Sequence, residues 1–216
     1  MQCPRCFGGV RPPDLTSSQW RCDRCGEVDP FYVSERISPE ILGAVRDRVR
    51  AADEALPIWC PWPLLPGWTV SGVGWVGDDR SPPQGTVVAC SGPAPLGNGP
   101  ADLVLVAERP GTGLGACLAG LPGPDPGDCL KAAVGGAVAH AKVRAAGHPT
   151  PLWSVTAGDG RCAYVGEARG LWLYVIAWPA AAGYLLAEQV FLQDLADCLP
   201  SELVYGAPSP QLRPSA

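Results

Sequence analysis

Four of the ten cysteines in this chain are spaced to hold a metal ion. Cys3 and Cys6 form one C-x2-C pair, and after fifteen residues Cys22 and Cys25 form a second. Two cysteines three positions apart turn a tight knuckle that aims both sulfurs at one ion. Two such knuckles complete a tetrahedron with Zn–S bonds of about 2.3 Å. Gly26 follows the second pair, where a residue without Cβ lets the backbone curl under the sulfurs. After the first pair Phe7 stands where a glycine would be more usual, with Gly8 and Gly9 behind it. Four thiolates fill the coordination shell and leave no position for water, so the expected site is one structural Zn2+ per chain, not a catalytic one. A unit of about thirty residues cannot fold on its own apolar area, and zinc binding at roughly 10–16 kcal/mol supplies the deficit. Neither a basic start nor an apolar core follows Met1, so no export signal is expected. The cysteines should then remain reduced in a cytoplasmic setting, which favours metal over disulfides.

The remaining chemistry-bearing residues read more blandly. Gly111-Thr-Gly113-Leu-Gly-Ala116 matches G-x-G-x-x-A after an apolar run. A dinucleotide fingerprint needs its first glycine at the strand end and an acidic residue about twenty positions on. Here Arg109-Pro110 intervenes and Lys131 lies at that distance, so a loop is expected. No G-x4-G-K and no G-x-S-x-G occurs, which excludes a P-loop ATPase and a nucleophile elbow. The two histidines, His140 and His148, could meet a Cys or Ser nucleophile only in three dimensions, and His148 in Gly-His-Pro reads as a turn residue. Asp78-Asp79 reads as a solvated pair in a turn. Cys60, Cys90, Cys117, Cys129, Cys162 and Cys198 show no pair spacing and read as small apolar fillers. Trp59, Trp62, Trp68 and Trp75 cluster around a proline-rich strap, either as anchors sealing the core or as an apolar groove.

These residues must be positioned by a chain of 216 residues and 22.5 kDa, 47% hydrophobic and 17% charged, with a net charge of −5. That balance predicts a globular body and excludes a basic nucleic-acid tail, a coiled coil and a disulfide miniprotein. With 27 Gly and 25 Pro, turns should be many and elements short. The predicted organisation is a zinc ribbon over 1–30, a linker and helix over 31–56, an antiparallel-sheet domain over 57–199 and a loose Pro-rich tail over 200–216. Ser38-Pro39-Glu40 reads as a helix start, and Ile41, Val45, Val49, Ala52 and Leu56 give one apolar stripe. The strap 57–68 should be extended and largely unpaired. Strands are predicted over 68–76, 86–90, 103–108, 141–145, 152–155, 162–167 and 171–178. A loop is predicted over 109–129, with room for a short helix at 114–121. From Ala180 to Leu199 the spacing of Leu185, Leu192, Leu195 and Leu199 against Glu188, Gln189, Asp194 and Asp197 predicts an amphipathic helix. The uncharged run 170–187 reaches the length of a membrane span, but its aromatic and β-branched residues followed by Pro179 suit a buried strand. The fold class is therefore α+β: an N-terminal four-cysteine zinc ribbon followed by a mainly antiparallel, curved sheet with a few helices.

The ribbon, the strap Pro57–Trp68, Val88-Ala-Cys-Ser-Gly-Pro-Ala-Pro95, Leu121-Pro-Gly-Pro-Asp-Pro126, Gly147-His-Pro149 and Gly166-Glu-Ala168 together resemble an uncharacterised actinobacterial zinc-ribbon family, a domain of unknown function. The resemblance covers nearly the whole chain and implies no established activity. Some members carry a phosphate acetyltransferase label, which no motif of this chain supports. The function expected from the residues is a non-enzymatic cytoplasmic binding or adaptor protein, its partner another protein or a small apolar ligand. Two alternatives stand beside it: a transcription-associated, nucleic-acid-binding ribbon, and an enzyme such as an acyl transferase with its nucleophile among the scattered Ser and Cys. Charge speaks against nucleic acid. In 1–30, Arg5, Arg11, Arg21 and Arg24 are balanced by Asp14, Asp23, Glu27 and Asp29, and phosphate binding needs a positive surface. Trp20, too large to hide in so small a unit, should lie on the main body or on a partner.

Overall fold

The strongest apolar runs of the sequence become the middle of one large sheet. The computed structural model describes residues 1–15, 17–52, 54–97, 99–136, 138–187 and 190–212. The ribbon is a three-stranded sheet of β1 (Val10–Arg11), β2 (Arg21–Cys22) and β3 (Gly26–Glu27). The body contains β4 (Phe31–Val33), α1 (Pro39–Arg50), β5 (Trp59–Pro61), β6 (Thr69–Val76), β7 (Gly85–Pro93) and β8 (Pro100–Glu108). After these come α2 (Leu114–Ala119), α3 (Gly127–Gly136), β9 (Ala141–Ala145), β10 (His148–Val155), β11 (Cys162–Ala168), β12 (Leu171–Trp178) and β13 (Val190–Asp194). The body strands form one ten-stranded sheet in the order β4-β6-β7-β8-β12-β11-β10-β9-β13-β5. Every pairing is antiparallel except β13 with β9. The molecule is thus α+β, with a large, curved and unclosed sheet.

Alternation along the central strands builds two apolar layers. Val88, Leu105 and Val175 stand in register across β7, β8 and β12 and face the cluster that contains Leu42, Val45 and Val49 of α1 and Ile58 and Trp59 of the strap. Their neighbours Val87, Val106 and Tyr174 are also in register and face the opposite layer, with Leu114 and Leu118 of α2. Both faces are covered, so these strands read as unbroken apolar runs. Gly115 lets α2 lie directly on Tyr174, since a Cβ there would come 2.2 Å from the ring. The curvature concentrates in β10, whose residues His148–Leu152 pair with β9 while Trp153–Val155 pair with β11. The far edge therefore curls back, and β5 packs against β7 and β8.

The helix start at Ser38 is as expected: its hydroxyl accepts the amide of Ile41, and Pro39 opens the helix. The buried stripe is Leu42, Val45 and Val49, with Ile41 only partly covered; Ala52 and Leu56 of the expected stripe lie beyond the helix, which ends at Arg50. The seven expected strands are all present, and the short helix expected within 114–121 is α2.

Four expectations need correction. The segment 31–37 is not plain linker, because Phe31–Val33 pairs with β6 as an edge strand. α3 occupies part of the expected loop 109–129 and runs beyond it. The amphipathic helix over 180–199 is absent: Ala180–Ala187 is a 3-10 helix and Val190–Asp194 is a strand between β9 and β5. Leu192 and Leu195 are buried either way, so the spacing of leucines did not discriminate, and pairing with two strands decided the outcome. Glu188 and Gln189, counted on the polar face of that helix, lie outside the described residues. Lastly, the Pro-rich end is laid along β6: Val70 bridges Tyr205, Ser209 N–H donates to the Ser71 carbonyl at 3.0 Å, and Leu212 is buried. Residues 213–216 of that expected tail lie outside the described residues. Among the described residues no helix is long and apolar enough to cross a membrane.

Candidate metal centre

The first knuckle is closed by backbone bonds. Cys3 N–H donates to the Gly8 carbonyl at 2.7 Å, and the amides of Cys6 and Phe7 donate back to the Cys3 carbonyl. Phe7 has φ +56° and Gly26, the matching position of the second knuckle, φ +76°. Both knuckles use the left-handed region, which suits glycine and costs a phenylalanine. The Phe7 ring offsets that cost by packing edge-on against Phe31 of the sheet, centroids 6.2 Å apart. The unusual residue in the motif is therefore a contact between ribbon and body.

The two knuckles bring Cys3, Cys6, Cys22 and Cys25 together with all four sulfurs within 4.8 Å of one another. Cys3 and Cys22 are buried; Cys6 and Cys25 are half-buried. Cys6 Sγ lies 3.5 Å from Cys22 Sγ, near the edge of about 3.8 Å that a tetrahedron of four sulfurs around zinc requires. Burial pushes the Cys3 thiol well up. Burial also acts to raise Cys22, but the amides of Arg24 and Cys25 and the Cys6 and Cys3 thiols outweigh it and bring Cys22 down to about 7. An all-sulfur set of four, two of them shielded from water, can hold a metal ion and leaves no open position for substrate. Among the described residues this is the one His, Cys, Asp and Glu group close enough to share an ion.

The ribbon is bonded to the body at several points. Gln2 pairs with Phe31 through reciprocal backbone bonds of 3.2 and 2.7 Å, covering the outer edge of β4. Arg5, inside the first knuckle, donates to the carbonyls of Gly111 and Thr112 at 2.7 and 3.4 Å. Trp20 Nε1 donates to Asp78 Oδ2 at 3.1 Å. Asp78 is not a free acid: its other oxygen accepts the amides of Arg80 and Ser81 and the Ser81 hydroxyl, all within 2.9 Å. Asp78-Asp79 is thus a turn that anchors a tryptophan rather than an acid–base pair.

The glycine string 111–116 does join a strand to a helix, but three of its amides are already taken by carboxylates. Leu114 N–H and Gly115 N–H donate to the Glu108 carboxylate at 2.8 and 3.2 Å, and Gly111 N–H donates to Asp125 at 2.8 Å. Two of the chain's own carboxylates occupy the amides that a phosphate would need. Glu108 and Asp125 had no motif to reveal them; the one signal was an acidic residue at the end of an apolar strand just before a helix start. His140 Nδ1 accepts the Ser154 amide at 3.1 Å, and His148 is exposed at the start of β10. Cys60 and Cys90, distant in sequence, lie with sulfurs 4.0 Å apart and fully buried. Trp59 and Trp68 are core anchors, Trp62 is half-buried, and Trp75 stacks with Tyr32 and meets the Arg48 guanidinium over its ring, each 4.8 Å away.

No curated protein and no solved structure matches the chain. A family model described as "Family of unknown function (DUF6758)" matches residues 1–212.

Proposed function

The chain belongs to this family of unknown function, DUF6758, and from that premise we propose that it is a non-catalytic binding protein whose N-terminal ribbon is closed by one structural Zn2+. The four-sulfur cluster carries this reading: a closed thiolate shell holds structure and does no chemistry. The docked ribbon supports the rest. Gln2, Arg5, Phe7 and Trp20 tie it to the sheet, so ribbon and body present one composite surface to a protein partner. The six cysteines outside the cluster, kept as thiols, fit a reducing, cytoplasmic location. The nucleic-acid alternative finds little support here. Arg5 is turned into the body and Arg11 is paired with Asp23, which leaves few ribbon cations for phosphate.

Protein purified without added metal should contain about one zinc per chain. Cys25→Ser should lose the metal and unfold the ribbon, while the sheet keeps its own core. A metal content near zero, or iron with visible absorption, would overturn the assignment.

A further inference from the structure

The strap 57–68 also walls a cavity at the end of the sheet far from the ribbon. With the 3-10 turn and β13 it encloses about 310 Å3. Trp62, Leu65, Trp68, Leu185 and Phe191 form its sides. Its floor is Cys90 and Leu103, respectively fully and almost fully buried inside the sheet. No described charged side chain lines it. The mouth is apolar as well: Leu65, Tyr184 and Phe191 are 46%, 63% and 49% exposed. Single exposed apolar residues are ordinary, but three around one opening mark a place that something covers.

Size and lining select the occupant. A volume of 310 Å3 is at the small end of ligand pockets, which run from about 300 to 1,000 Å3. It is deep enough to reach the core and too small for a helix or a folded segment. A polyproline peptide lies on a shallow groove between exposed aromatic ridges, whereas Trp68 here is buried in the wall. An interior with no charged side chain among the described residues disfavours an ionised group. The polar atoms available are the Tyr184 hydroxyl and the Trp62 indole, on side chains nearer the mouth. We propose that this cavity binds one free, unbranched acyl chain of medium length, inserted tail first, with its head group at the mouth beside Tyr184. The site shares no residue with the ribbon, so it stands or falls apart from the zinc reading.

The test uses the full, metal-loaded chain and decanoate brominated at its last carbon. Bromine in contact with the cavity wall should quench indole fluorescence saturably at one probe per chain, and plain decanoate should reverse it. Trp68→Phe should lower the quench, since it removes one of the two indoles that line the cavity. Leu65→Asp, on the exposed rim, should weaken binding roughly tenfold, and Leu185→Trp, which fills the interior, should abolish it. Leu65→Asp decides the matter if the filled variant does not fold. Quenching that never saturates, or equal binding by Leu65→Asp, would overturn the proposal. So would preferential binding to phosphatidylcholine vesicles, or displacement of the probe by a proline-rich peptide.

Discussion

Glu108 ends β8 with no exposure to water, and its two oxygens take the first amides of α2. Burial pushes its carboxyl up to about 8, although the amides of Gly115 and Leu114 pull the other way. A carboxyl raised on folding binds its proton more tightly in the folded state. Its contribution is therefore fully present below the unfolded value near 4.5 and is lost as pH rises through about 8. Thermal stability should accordingly fall between about pH 5 and 8, by an amount on the order of 3–5 kcal/mol if Glu108 alone dominates. Glu108→Gln should flatten that fall. Melting curves across this range check it, and an identical slope in the variant would show that another group is responsible. At this scale the sequence was informative where chemistry is local. The four clustered cysteines declared themselves because both knuckles are three-residue spacings. The glycine string was visible as a turn into a possible helix, but what fills its amides comes from six residues upstream and, through Asp125, from the far side of α2, which no spacing rule reaches.

The strands were readable for a similar reason. β9 and β12 were bounded as they stand, because β-branched and aromatic runs between turn residues leave little choice. β5 and β13 were not, since each is held by partners remote in sequence. The strap was expected to stay largely unpaired because its prolines cannot donate, and only Trp59–Pro61 pairs, on one side, as an edge strand. What fixes this corner is Asp194, 2% exposed, which accepts the amides of Ile58 and Ala196 at 2.9 Å and the Arg169 guanidinium at 2.7 Å. Arg169 also stacks over Trp59, 5.3 Å from its ring. Asp194→Ala would orphan two buried amides and should cost about 2–4 kcal/mol. Arg169→Ala should cost less, roughly 1–2 kcal/mol, because the arginine is half in water and screened. Urea unfolding separates the two. A larger loss for Arg169→Ala would mean that its stacking on Trp59, not the carboxylate, holds the corner.

For the whole molecule, the size of Trp20 called for cover by the body or by a partner; the body supplies it through Asp78, which no spacing revealed. That aspartate serves the turn after β6 and the indole together, and neither use shows in the sequence. Trp20→Ala removes the indole bond and its packing and should lower stability by about 1–3 kcal/mol, with metal content unchanged. Calorimetry should show the loss in one cooperative transition; an unchanged melting temperature would mean that the ribbon moves independently of the sheet. The strand order carries one more consequence, for how the chain is made. β4 and β5 are separated in sequence by little more than one helix, yet they form opposite edges of the sheet. β5 finds its strand partner only in residues 192–194. A segment that leaves the ribosome early must therefore wait for one synthesised near the end, and such long-range closure is slow. During that wait Trp59 and Cys60 lack the strand that pairs with them. The prolines at 57, 61, 63 and 66 then act as guards, denying a waiting apolar strap the amides with which it would pair with a neighbouring nascent chain.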